Sequence, residues 1–155
     1  MATSAVPEVI DALLTLARAS LTDTLVFDGL GVTDDPGNFL MIGVEDPDTE
    51  GLAFSADVKQ DWANANYTSR DETGEITCAA LAWVGESGDE GSKVARDGAY
   101  AICASLEDAM RANPTLGLPT LLWTGFGSST QLSQAQGVGG SSALLVFRIN
   151  FRARI

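Results

Sequence analysis

The chain predicts an α/β (α+β) fold: a mixed β-sheet with an N-terminal helix and one long helix packed on it, closed by a C-terminal antiparallel hairpin. Three stretches carry that prediction. From Ile76 to Val84, Ile76, Cys78, Ala80, Ala82 and Val84 alternate with Thr77, Ala79, Leu81 and Trp83, and both sides are mostly apolar. Such a strand belongs inside a sheet that is covered, at least in part, on both faces. Ala95, Ala99, Ile102, Leu106 and Met110 then recur at helical spacing, with Val94, Gly98, Ala101 and Ala109 widening the same stripe. The small residues in it let a helix axis sit close to a sheet. At the C-terminus, Leu145, Phe147, Ile149, Phe151, Ala153 and Ile155 alternate with Val146, Arg148, Asn150, Arg152 and Arg154. One face of this last strand is core and the other is basic.

The remaining elements follow in order. Pro7 to about Ser20 reads as an amphipathic helix, with proline suited to a first helical turn and Ser4 placed to cap it. Its apolar stripe is Val6, Val9, Ile10, Leu13, Leu14, Ala17 and Leu21. A short strand from Leu25 ends in Asp28-Gly29-Leu30-Gly31. Asp34-Asp35-Pro36-Gly37-Asn38 is a turn, and Phe39 to Val44 is a second strand. Glu45 to Gly51 is an acidic loop, and Leu52 to Tyr67 reads as irregular strand with Trp62 turned inward. Asp71-Glu72-Thr73-Gly74 is expected to turn into the central strand.

Beyond Val84, Gly85-Glu86-Ser87-Gly88-Asp89-Glu90-Gly91 breaks the ladder. Ser92 is placed to cap the long helix, which Asn113-Pro114 ends. Leu118 to Trp123 is another strand, followed by the extended and polar Phe126 to Gln136. Gly137-Val138-Gly139-Gly140 is expected to form a flexible connection to the last strand. Residues 1–155 read as one domain, with no internal repeat and no long linker.

Composition excludes more than it selects. Twenty-one acids against 9 bases give a net charge of −12, which opposes any sequence-independent grip on nucleic acid. The chain has no histidine, so Ser-His-Asp and Cys-His catalysis and the commonest zinc sites are excluded. Cys78 and Cys103 read as small apolar residues rather than a disulfide or a reactive thiol. No apolar run is long enough for a membrane span, and no signal peptide is expected.

Few stretches bear chemistry. Asp46-x-Asp48-x-Glu50-Gly51, with Asp57 beyond, loosely matches a calcium loop. Pro47 stiffens its start, an aspartate replaces the bidentate glutamate, and a strand precedes it, so a solvated acidic loop competes with that reading. Gly29-x-Gly31 and Gly125-x-Gly127 are too short for a dinucleotide fingerprint. No catalytic residue, cofactor or metal is expected. Arg148, Arg152 and Arg154 are three of the nine basic residues in this acidic chain. Either they form a plain solvated face, or they meet acids of a neighbouring subunit, together with the polar Phe126 to Gln136 strand.

The order of these motifs resembles one family. An N-terminal amphipathic helix leads to Val26-Phe27-Asp28-Gly29, Asp34-Asp35-Pro36-Gly37 and Phe39-Leu40-Met41-Ile42-Gly43-Val44. Ile76-Thr77-Cys78-Ala79 through Trp83 opens onto the Ala-rich helix, and Leu121-Leu122-Trp123 and Phe151-Arg152-Ala153-Arg154-Ile155 close the chain. This resembles the tail terminator proteins of long-tailed phages, those of actinobacteria in particular, over nearly the whole length. The resemblance implies a non-enzymatic virion protein of tail or neck, assembled in the host cytoplasm as a hexameric ring. Its partners would be the tail tube protein and a head-completion protein, with DNA passing through the lumen unbound and no membrane involved. Another neck or tail-tube component is the nearest alternative; a small carboxylate-based enzyme or a calcium-binding module is a more distant one.

Overall fold

The structure, a computed structural model, describes residues 2–45 and 54–155. In chain order the elements are α1 (Val6–Ser20), β1 (Leu25–Asp28), β2 (Gly37–Ile42), β3 (Ala56–Trp62), β4 (Arg70–Val84), α2 (Asp89–Ala112), β5 (Leu121–Gly137) and β6 (Gly140–Arg154). The strands make one six-stranded mixed sheet in the order β1-β2-β4-β6-β5, with β3 also paired to β4. Among the described residues only β1 and β2 run parallel, and every other pairing is antiparallel. This is the α+β architecture expected from the sequence, C-terminal hairpin included.

β4 organises the sheet because it is long enough to serve two partners on one side. Arg70–Ile76 pairs with β3 and Cys78–Trp83 with β2, while β6 runs along the other side from Asp71 to Val84. Thr77 sits at the seam. Its carbonyl accepts from the Gly43 and Val44 amides, its amide donates to Ser55 O, and its hydroxyl donates to Phe54 O. Both helices pack on one face. Ile76, Cys78, Ala80 and Ala82 of β4, with Leu145, Phe147, Ile149 and Phe151 of β6, are buried against Val9, Leu13, Leu14 and Ala17 of α1 and Ala95, Ala99, Ile102, Leu106 and Met110 of α2. The close approach foreseen from the small residues is real: a Cβ on Gly98 would lie 3.2 Å from Ala82 Cβ.

Several local expectations are corrected. Asp71 to Gly74 is strand, not turn. Gly74 is there for space, since a Cβ would come within 2.6 Å of Val58 Cγ1 and 2.8 Å of the Phe151 ring. The strand expected from Leu118 begins only at Leu121, and Leu121–Trp123 and Phe126–Gln136 belong to one strand, β5, with register shifts between Leu121 and Trp123 and between Phe126 and Thr130. The glycines after it form a tight turn rather than a flexible connection, because Gly137 pairs with Gly140 around only Val138 and Gly139. α2 starts at Asp89 with Gly88 as its N-cap and no side-chain capping bond, so Ser92 is not the cap. The Ser92 hydroxyl instead accepts from Gln136 Nε2.

Trp62 is not inward. It occupies the last rung of the β3–β4 ladder, is 52% exposed, and meets Tyr67 edge-on at 5.2 Å and the Arg70 guanidinium at 5.6 Å. Ser4 lies near the start of α1 as expected, but Ala5 is the N-cap. Ser4 Oγ accepts from the Val6 amide and donates to Glu72 Oε1 on β4.

Candidate functional site

With both helices on one face, the opposite face of the sheet is left for contact with anything else. Strand parity puts Arg148, Arg152 and Arg154 of β6 there, as read from the sequence. The register places Arg154 across from Asp71, Arg152 across from Thr73 and Arg148 across from Thr77. Their acidic partners lie on β4 of the same chain. Arg154 donates from Nε and Nη2 to the two oxygens of Asp71, at 2.7 and 3.0 Å. Arg152 Nη2 reaches the same carboxylate at 3.4 Å, and Arg148 Nε lies 3.3 Å from Glu75 Oε1.

Two guanidiniums therefore share Asp71. Each carries five N–H donors, and one carboxylate offers about four acceptor positions, so the pair keeps surplus donors, while Asp61 of β3 stands across from Asp71. The Arg154 hydrogen bond, then its charge, then Arg152 hold the Asp71 carboxyl below its ordinary value of 3.8. Any stability from this depressed value is complete above pH 3.8 and is lost as the pH falls through the lower folded value. Carboxyl NMR titration is expected to place Asp71 below 3.8, and to return it toward 3.8 in Arg154→Ser. An unshifted Asp71 in the wild type would contradict this geometry.

Next to this corner lies an open groove lined by Asp57, Lys59, Thr73, Glu75, Trp123 and Asn150, with Trp123 44% exposed. Farther along the same face, Met41, Val44 and Ala79 form a small apolar cluster with Phe27, Leu81 and Leu144. The calcium-like Asp46 to Gly51 lies outside the described residues, and Asp57 stands on β3 across from Glu75. Among the described residues no three His, Cys, Asp or Glu side chains gather where they could hold a metal. Burial pushes the Cys78 thiol up to about 12, and burial with Glu107 does the same to Cys103, so neither is a thiolate nucleophile at neutral pH. No helix among the described residues is long and apolar enough to cross a membrane.

One feature escaped the strand-by-strand reading. Ala112 to Phe147 contains no charged residue, in a chain of net charge −12. Nearly half of that stretch is β5, which ends the sheet order and so forms its outer edge. Ser128 to Gly139 is exposed throughout. A count of charge along the sequence would have found it.

No family model matches the chain, and no curated protein does. Among solved structures it is similar to a chain from the virion of a native gene transfer agent particle, at 15% identity and a TM-score of 0.49, covering 91% of this chain and 84% of that one.

Proposed function

We propose that this chain is a structural subunit of a tailed-phage virion, and within it a tail terminator. In this reading it forms a hexameric ring on the end of the tail tube, stops tube polymerisation and joins the tail to the head-completion proteins. The observation that carries the reading is the one-sided build of the domain. Both helices cover one face of the sheet, while the other face presents the arginine–carboxylate corner, an exposed Trp123 and a long open edge. A surface of that kind is completed by neighbours, and the order of the sequence motifs points to a tail. The net charge of −12 suits a lumen along which phosphate moves without being held.

Arg152 and Arg154, already two on one acid, have donors left for a carboxylate of a neighbouring subunit or of the tail tube, and Arg148 extends the same row. Negative-stain microscopy of the purified protein is expected to show closed rings. The Arg148→Ser/Arg152→Ser/Arg154→Ser variant should keep the wild-type circular dichroism spectrum, because exposed pairs contribute only about 0–1 kcal/mol each. It should nevertheless assemble or cap tails poorly, since the same contact recurs at every interface of a ring. A wild-type protein that stays monomeric and leaves tail tubes uncapped would remove this reading.

A further inference from the structure

The outer edge of β5 is an exposed sheet edge without charge. Sheet edges in monomeric proteins are normally guarded by lysine, proline, inward-pointing charge or a covering element. From Ser128 to Gly137 this edge has no charged residue and no proline, and the strand is exposed along that length. Its helix-side residues are also held in place: Gln134 Oε1 accepts from Arg96 Nη1 at 3.1 Å, and Gln136 Nε2 donates to Ser92 Oγ. The unguarded edge is thus fixed on α2 rather than flapping free, which lowers the ordering cost of adding a strand to it.

We propose that β5, from Thr130 to Gln136, pairs main chain to main chain with a second copy of this chain. The inference rests on the ring reading above and specifies one of its interfaces. Charge chooses the occupant. Copies carrying −12 each repel across most of their surfaces, and Ala112 to Phe147 is where one copy presents no charge to oppose the acids of the next. The register shift between Phe126 and Thr130 sets the start of the regular edge, and the turn after Gly137 sets its end. Gln131, Ser133 and Ala135 face away from the helices, opposite Val146, Leu144 and Ser142. They offer a neighbouring strand small or amide side chains that fit a cross-strand ladder.

The test compares assembly of the wild type with three double variants by sedimentation velocity: Gln131→Lys/Ala135→Lys, Gln131→Asp/Ala135→Asp and Gln131→Thr/Ala135→Thr. All three alter exposed positions, and circular dichroism checks that each is folded. Both charged variants are expected to weaken association by about tenfold or more, while the threonine variant assembles like the wild type. Amide exchange across Thr130 to Gln136 should slow in the wild-type assembly relative to the Lys variant, which reads the new hydrogen bonds directly.

Rings that form equally well in both charged variants, with unchanged exchange at β5, would overturn the β5 pairing and leave the ring reading standing. Loss of assembly with only one sign of charge would also overturn it, since that pattern belongs to an electrostatic contact. A wild type that never assembles would remove the ring reading and this inference with it.

Discussion

Replacing Glu72 with alanine is expected to cost about 2–4 kcal/mol of stability, because it strands one buried and two part-buried donors at once. Glu72 is fully buried on the helix side of β4. Its Oε1 accepts from Ser4 Oγ at 2.9 Å and from the Ala5 amide at 2.8 Å, and its Oε2 accepts from Gln60 Nε2. The network continues outward. Gln60 Nε2 also donates to Thr3 O at 2.8 Å, Arg70 Nη1 donates to Gln60 Oε1 at 2.7 Å, and Arg70 Nη2 reaches Ala2 O at 3.4 Å. One carboxylate thus fastens residues 2–5, and with them the start of α1, to the centre of the sheet.

Removing one member of a connected buried network is the damaging kind of change, unlike replacing the whole network with apolar groups. Glu72→Gln should lose clearly less. Its oxygen can still serve Ser4 and Ala5, and only its NH2 is left facing the Gln60 amide, donor against donor. Urea denaturation of both variants, with amide exchange at the first turn of α1, checks the order wild type, then Gln, then Ala. An alanine variant within about 0.5 kcal/mol of wild type would mean that the segment is not held through Glu72.

The sequence made some of this legible and hid the rest for physical reasons. Periodicity found α2 and β6 because each buries one continuous stripe, and β4 was found because it is apolar on both sides, with Ile76 to Ala80 buried in succession. It also put Arg148, Arg152 and Arg154 on a common face, since parity alone decides that. Their partners were not readable. The pairing of Arg154 with Asp71 depends on the β4–β6 register, and Asp71 to Gly74 looks like a turn until Val58 and Phe151 are seen crowding Gly74. Trp62 misled because a tryptophan in a strand usually seeks the core, whereas this one sits on the last rung of its ladder and is half exposed. Glu72 was invisible for the opposite reason. An acid at an inward position of a strand reads as turn or surface, and only the docked Ser4 and Ala5 explain its burial. The β5 edge was present in composition, as a stretch without charge, but its meaning depends on β5 being the outermost strand.

The largest backbone effect is expected at Gly140, where alanine should cost about 3 kcal/mol or more. Gly140 opens β6 at φ +116, a conformation L-residues rarely adopt, and a Cβ there would sit 1.9 Å from Val84 O and 2.9 Å from the Gly85 backbone. No side-chain rotation relieves an overlap with a carbonyl, so either the hairpin or the end of β4 must move. Gly91 stands in the same corner, with a Cβ position 2.1 Å from Glu86 O, and its alanine variant should lose stability for the same reason. Gly85 is the internal control. Nothing lies within 4 Å of its Cβ position, so Gly85→Ala should be neutral or stabilise by about 0.4–1 kcal/mol through the unfolded chain.

The corner also places the outer strand. Trp83 Nε1 donates to Gly139 O at 3.1 Å and Ser87 Oγ to Gly137 O at 2.8 Å, tying the β5–β6 turn to the end of β4 and the start of the α2 corner. Moving that turn in Gly140→Ala should therefore loosen the free edge of β5 before it unfolds the core. Denaturation and amide exchange on the same samples separate the two effects. The expected pattern is faster exchange from Thr130 to Gln136 while β4 stays protected. Uniform loss of protection, or no loss of stability at all, would show that the corner does not hold the strand.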